Sequence, residues 1–510
     1  MTTAQRSPDR SPEQPAVASV RATNDLRGHL QVFQAEGGIG AIPLRSLMQR
    51  PLQVFEPATS LRDVLVALNG AGADAGLVAQ QLNQPLGIAS FRELVEAITV
   101  QHASLDDPVI SCMIGAPVSL PADASAHRAK ILLTRSRSRH LLALEQDGRV
   151  AGLLSQAEIP GYREGGADLL ADRIQAARTT DDLVCVARDV RRRGAELFAA
   201  GMGVEALCHW TSGLNDLLSL RVIELVADTF DLPAIPWCWL VFGSEGRLEQ
   251  TFTTDQDNGL VFLPGDGRET DCLRQLFLPF AATVNQALDR CGFDLCRGKI
   301  MAGNAQWCLS LEEWQEKFRQ WIEIPEPDAV LNSTIFFDFR PLYGQDELAD
   351  RLRQWLLPLP ERHPRFLHCL AQQALGCTPA CGLFGRFRYD GGREHPHTID
   401  LKLHGIRPFV DAARIWALRY QVWATSTADR LRSVTVPLHR SVADTAAAVA
   451  SFDLVQRIRI QQQLSCTQDD LANWVDPRQL HELQKLSLKE AFAQAKLLQT
   501  RLREDFTGQL

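Results

Sequence analysis

No stretch of the 510 residues approaches the roughly 18–20 uninterrupted apolar positions that a membrane-crossing helix needs. The N-terminus also lacks the apolar run of a secretory signal. Positive charge is not in excess: the net charge is −8, which removes any whole-molecule attraction to nucleic acid or anionic lipid. The twelve cysteines include no Cys-x-x-Cys pair. Cys369, Cys377 and Cys381, followed by His395, His397 and His404, fit no common zinc-ligand spacing, so buried, reduced thiols are expected. Together these absences predict a cytoplasmic chain with neither membrane nor nucleic-acid partners. What is present is an ordinary globular balance, 45% apolar and 22% charged, in a chain long enough for two to four domains. Residues 1–40, rich in Pro, Ser and charge, read as a disordered leader.

A repeat follows over residues 41–160. Residues 44–98 and 112–159 share one order: Met, a Pro-plus-apolar strand, a Ser that caps a helix, an amphipathic helix, a strand, then Gly-apolar-apolar-Ser-x-x-Glu and a helix. "EQDGRVAGLLS" carries the Asp-Gly signal of a hairpin. The pair resembles tandem cystathionine-β-synthase (CBS) modules. That resemblance implies a pseudo-two-fold pair, an adenine nucleotide held between the copies, and a homodimer. The CBS motif ends in an Asp that holds a ribose; here Glu93 and Glu158 stand in its place, after Ser90 and Ser155. The pair fits a ligand sensor or a dimerising spacer.

Apolar residues near a 3.6-residue period (Leu183, Val186, Val190, Leu197, then Leu214, Leu217, Leu218, Val222, Leu225) predict helices over 166–230. Pro233 and Pro236 end them before a strand. From about 345 the chain again reads as helical. Its last helix is expected to open at Asp476-Pro477, with Leu488, Phe492, Ala495, Leu498 and Leu502 on one face. Within that half, residues 382–405 read as a hairpin turning at Asp390-Gly391-Gly392.

The chemistry is carried by "WLVFGSEGRLEQTFTTDQDNGLVF" (239–262). A strand ends at Gly243-Ser244, where glycine admits a close ligand and the hydroxyl and N–H groups suit phosphate oxygens. Asp255 and Asp257 open the next strand. Residues two apart share a strand face, which sets these carboxylates roughly 6–7 Å apart. At an effective dielectric of about 20 they repel by about 2–3 kcal/mol. A bridging cation, Mg²⁺ or Mn²⁺, removes that cost while binding the phosphates of a nucleoside triphosphate (NTP). Arg247 is expected on those phosphates, with Glu249 and Thr251 shaping the loop. Lys299, Asn304 and Trp307 are candidates for the base or phosphate side, Trp307 more for core packing. Lys402, Asp411 and Arg414 suit an ion-pair network or the acceptor.

Gly-Ser, ten residues, then Asp-x-Asp resembles the polymerase-β-type nucleotidyltransferase superfamily. The fuller string is similar to the branch containing the PII-protein uridylyltransferases. More specifically, the chain resembles bacterial proteins that join CBS modules to a nucleotidyltransferase domain and a helical substrate-binding domain. "LCRGKIMAGNAQW", "IFFDFRPLYG", "DLKLHGIRPFVDAARIWAL" and "RIRIQQQL" fit that family, and the resemblance spans about residues 44–505.

It implies a multidomain α/β and α protein: a CBS pair, a nucleotidyltransferase core with a mixed sheet over 166–345, and a mostly helical domain over 346–510. It also implies a third carboxylate, with Asp338 the first candidate and Asp294 the alternative. The implied reaction moves a nucleoside monophosphate from an NTP to a hydroxyl of a protein or small molecule. The leading specific form is uridylylation of a PII-like regulator, controlled through the CBS pair. No ACT domain or His-Asp phosphohydrolase cluster follows the core, so the reverse reaction is expected to be absent. The rival readings are a non-catalytic nucleotide sensor and adenylyl transfer to a small molecule.

Overall fold

The computed structural model describes residues 19–20 and 43–508, apart from positions 49, 82–83, 116, 125, 137, 146, 160–166, 266–268, 383–385 and 467–470. The leader expected over 1–40 lies outside the described residues except for Ser19–Val20, which pair antiparallel with Gln53 and Leu52. The chain forms two compact units, which meet in sequence at residues 160 and 161.

In the first unit both copies of the repeat take one topology. β1 (Leu52–Phe55) leads through α1 (Leu61–Ala71) to the parallel β2 (Ala75–Gln81), which returns as the antiparallel β3 (Gln84–Ser90) and continues into α2 (Phe91–Thr99). In the second copy β4 (Ser119–Pro121) leads through α3 (Ala126–Arg135) to the parallel β5 (His140–Leu144), and then to the antiparallel β6 (Val150–Ser155). The second copy departs from the expected helix at its end, where the described residues form only a 3₁₀ turn, Gln156–Glu158.

The copies interlock through their equivalent glycines. A Cβ on Gly87 would lie 2.7 Å from Sδ of Met113, which leads into the second copy, and a Cβ on Gly152 would clash with Sδ of Met48, which leads into the first. Glu158 closes a capping box with Ser155 at the turn Gln156–Glu158 to which it belongs, and Glu93, in the first turn of α2, accepts from the Ser90 hydroxyl. The Ser155 N–H and hydroxyl donate to Glu158 at 2.8 and 3.0 Å.

The second unit begins with the expected helices, including α4 (Thr180–Ala199) and α5 (Val204–Ala227), whose periodic Leu183, Val186, Val190, Leu214, Leu217 and Leu218 are buried. A four-stranded mixed sheet follows. β7 (Trp237–Val241) lies between β8 (Asn258–Phe262) and β10 (Arg340–Gly344), antiparallel to both, and β9 (Cys308–Ser310) runs parallel to β8 on the far edge. Between them come α6 (Thr270–Arg290) and α7 (Leu311–Glu323). Trp307 packs at 4.2 Å from the Phe336 ring and belongs to the core, as its type suggested.

The remaining half is helical, with α8 (Arg407–Arg419), α9 (Thr427–Ser433), α10 (Val442–Ser465) and α11 (Glu482–Phe506). One hydrophobic core runs from Leu240 and Trp314 through Phe409 to Leu498, so packing is continuous across residue 345.

Two local expectations are corrected. The described residues of 382–405 form no hairpin about Asp390-Gly391-Gly392: Ile399–Asp400 pairs instead with Trp474–Val475, a partner more than seventy residues away. The last helix opens at Glu482, not at Asp476-Pro477. The Asp476 carboxylate accepts from the Arg478 N–H and side chain and closes a separate 3₁₀ turn, Pro477–Gln479.

Candidate active site

β7 delivers the chain to Phe242, and Gly243–Gly246 make one helical turn beyond it. Gly243 has φ 57°, and a Cβ there would lie 2.8 Å from an Asp257 carboxylate oxygen, so both conformation and space call for glycine. The Phe242 N–H donates to the Asp257 carbonyl at 2.8 Å, bringing the Gly-Ser turn against the start of β8. The Ser244 hydroxyl has no partner among the described residues.

The alternation expected at Asp-Gln-Asp holds. Asp255 and Asp257 project together, and the Cys296 thiol joins them; one ligand atom from each lies within 4.8 Å of the others. The thiol donates to Asp257 Oδ1 at 3.3 Å. Gln256 and Asn258 face the other way, into the core. The Gln256 amide donates to the Asn285 and Phe293 carbonyls at 2.9 and 2.8 Å and accepts from Asn285 Nδ2 at 2.8 Å. Asn258 accepts from Asn285 Nδ2 and from the Ala302 N–H. This buried amide set fixes which face of the strand carries the acids. Sequence reasoning missed it, although the same two-residue alternation could have found it.

Burial, and then the charge of Asp255, push the Asp257 carboxyl up to about 6. Glu245, also missed, is buried next to Ser244; desolvation and then Asp216 push it up to about 8. The donor set of two carboxylates and a thiol fits a divalent cation. A carboxyl with a raised pKa holds its proton more tightly folded than unfolded. Its stabilising contribution is therefore complete at low pH and is lost as pH rises from about 4 through these values. A bound cation replaces the proton. Mn²⁺ is accordingly expected to raise Tm by about 2–5 °C at pH 7.5 and by less than about 1 °C at pH 5. Equal shifts at both pH values would remove the cation from Asp257. Co²⁺ offers a direct test of the thiol. It should give near-ultraviolet thiolate-to-cobalt absorption in the wild type and none in Cys296→Ser, and absorption that survives the substitution would exclude the thiol as a ligand.

The other expected site residues are placed differently. Asp338 does not join the pair. It is 0% exposed and accepts from Arg247 at 2.7 Å, Arg414 at 2.6 and 3.1 Å, and Arg430 at 2.5 Å. Burial opposes its charge, but Arg414, Arg430 and Arg247 hold it well below the usual carboxylate range. An acid saturated by three guanidiniums has no lone pairs left for a metal. Asp294 is also outside the cluster; its carbonyl accepts from the Gln256 N–H at 2.9 Å.

Arg247 is committed to Asp338 and to Glu249, each at 2.7 Å, and so is withdrawn from the phosphate role expected of it. Lys299 sits exposed in a left-handed turn, φ 55°, where its carbonyl accepts from Asn304 and from Trp307 Nε1. Asp411 and Arg414 do form an ion-pair network, at 2.7 Å.

A strand ending in a Gly-Ser turn, set against an antiparallel strand that two convergent aspartates lead into, is the arrangement expected of a nucleotidyltransferase site. Residues 188–328 match the family model described as "Putative nucleotidyltransferase DUF294", and residues 364–506 match "Putative nucleotidyltransferase substrate binding domain". The chain carries this family's nucleotidyltransferase domain followed by its substrate-binding domain. No curated protein sequence matches it.

Among solved structures, an AMP-complexed CBS domain protein from Pyrobaculum aerophilum is 22% identical, covering 25% of this chain and 96% of its own, with a TM-score of 0.22. A CBS-domain protein from Agrobacterium tumefaciens is 25% identical over 23% of this chain and 96% of its own, with a TM-score of 0.22. No helix of the described residues is long and apolar enough to cross a membrane.

Proposed function

We propose that the chain transfers a nucleoside monophosphate from an NTP to a hydroxyl acceptor. The observation that carries this reading is the convergence of Asp255 and Asp257 behind the Gly243-Ser244 turn. In that reaction the acceptor oxygen bonds to the α-phosphorus, the bond from that phosphorus to the β-bridging oxygen breaks, and the acceptor's proton ends on pyrophosphate. A bound Mg²⁺ or Mn²⁺ supplies positive charge to the phosphates and the attacking oxygen. The backbone turn and Ser244 bind phosphate oxygens, and the Gln256–Asn285–Asn258 amides orient the carboxylates.

Uridylylation of a PII-like regulator is the specific form favoured by the likeness of GSEGRLEQTFTTDQDN to the uridylyltransferase branch. A second form is adenylyl transfer to a small molecule; a cleft lined by Glu205, Glu249 and Asp453 is one acceptor position, with Arg432 and Arg247 already neutralising the first two. The first unit would regulate transfer by binding an adenine nucleotide. A shallow cleft there, lined by Arg50, Asp74, His140, Ser155 and Glu158, supports that role.

Labelled pyrophosphate released from each γ-labelled NTP, with Mg²⁺ and clarified host lysate as the source of acceptor, tests the activity. Release by the wild type, lost in Asp257→Asn and strongest with one NTP, establishes transfer and names the donor. Identical release by both proteins with all four would leave a nucleotide sensor as the reading.

A further inference from the structure

Two cations of the helical half, Arg459 and Lys402, have no acid partner among the described residues, and Ile460, next to Arg459, packs in one cluster with Phe252, three residues before Asp255. Arg459, on α10, is only 7% exposed. Its Nε donates to Asn473 Oδ1 at 2.7 Å and its Nη1 to Gln456 Oε1 at 3.3 Å. Both partners are neutral, and among the described residues no carboxylate lies within the 4 Å of an ion pair. Burying a guanidinium without an anion is costly, because its hydration is lost and nothing replaces it. Burial works against its charge; through space Asp400, then Cys208, then Asp255 of the site favour that charge, and Arg247 opposes it.

Gln463, one turn further along α10 on the same helical face, is 8% exposed and has neither end of its amide hydrogen-bonded. Lys402 opens the π-helical turn Lys402–Ile406, a distortion that recurs at functional sites. It is exposed and has no ion pair among the described residues, and the preceding Leu401 N–H donates to the carbonyl of Asn473 at 3.0 Å, the residue whose side chain holds Arg459. The two cations are thus joined through Asn473 beside the segment that leads to Asp255 and Asp257.

Building on the nucleotidyltransferase reading, we propose that Arg459 and Lys402 bind the β- and γ-phosphates of the NTP, the portion that leaves as pyrophosphate. The helical domain then completes the donor site as well as presenting an acceptor. Arg247, whose charge is spent on Asp338 and Glu249, leaves this role open. A buried guanidinium held by neutral groups is suited to it, because it is oriented without being neutralised.

Inorganic pyrophosphate and tripolyphosphate, titrated calorimetrically into the full chain with saturating Mn²⁺, provide the test. Arg459→Gln is expected to weaken both by roughly 10–100-fold, as loss of a charge-assisted contact does. Lys402→Ala, at an exposed position that leaves the fold intact, should weaken them by roughly 5–10-fold. Mn²⁺ affinity without phosphate should stay equal or tighten in both variants, since a neighbouring positive charge has been removed; a merely structural role would not split the two readouts. Polyphosphate binding by Lys402→Ala and by folded Arg459→Gln at wild-type strength would overturn the proposal while leaving the transferase reading standing. If Arg459→Gln does not fold, wild-type binding by Lys402→Ala alone overturns it. A wild type that binds Mn²⁺ but neither polyphosphate would overturn both.

Discussion

Asp257→Asn is expected to reduce nucleotidyl transfer by about 10²–10³-fold, the scale on which removing one group that stabilises developing charge acts. The fold should survive. The Phe242 N–H bonds to the backbone carbonyl of residue 257, and the buried amides of Gln256, Asn258 and Asn285 do not involve its side chain. The variant also relieves repulsion between two acids crowded within a few ångströms of each other. Its Tm in the absence of divalent cation should therefore equal or exceed that of the wild type, while the stabilisation by Mn²⁺ at pH 7.5 disappears. Activity lost together with several degrees of Tm would instead assign Asp257 a structural role.

Asp338→Asn should do the opposite. The wild-type carboxylate neutralises Arg247, Arg414 and Arg430 in a site closed to water, with Arg353 also fully enclosed nearby. The amide keeps the shape but leaves three guanidiniums without that charge. Breaking a buried ion pair on one side typically costs about 3–5 kcal/mol. In a chain of this size that corresponds to a fall in Tm on the order of 5–10 °C. Metal affinity should be unaffected, because Asp338 contributes no ligand atom to the cluster of Asp255, Asp257 and Cys296. Calorimetric Mn²⁺ titration of Asp338→Asn beside a thermal melt decides the matter. Loss of metal binding at unchanged Tm would return Asp338 to the role of third carboxylate.

The contrast between these residues shows what the sequence could and could not reveal. Asp255 and Asp257 were legible because their relation is local: a strand alternates faces every residue, so the spacing alone set them side by side. The periodic helices and the duplicated β–α–β–β unit were legible for the same reason. Asp338 was misplaced because its partners are remote. Arg247, Arg414 and Arg430 stand 76 to 92 positions away in sequence and meet it only through packing. An acid among bulky apolar residues does announce that it has a partner, but not which one. The hairpin expected around Asp390-Gly391-Gly392 failed likewise, since the strand that pairs with Ile399–Asp400 comes from residues 474–475. Cys296 lay two residues beyond the alternative acid, Asp294, and nothing local distinguished its thiol from any other buried cysteine.

The amides behind the acidic strand have a further consequence. Gln256, Asn258 and Asn285 do not titrate and carry no net charge, so their mutual bonds are the same whether the carboxylates in front of them bear protons, a cation or a loaded triphosphate. A turnover cycle must swing the local charge of such a site by several units as substrate enters and pyrophosphate leaves. Had salt bridges aligned the acids, each swing would pull on their support. A neutral anchor separates position from charge, so the acids return to the same place at the end of every cycle.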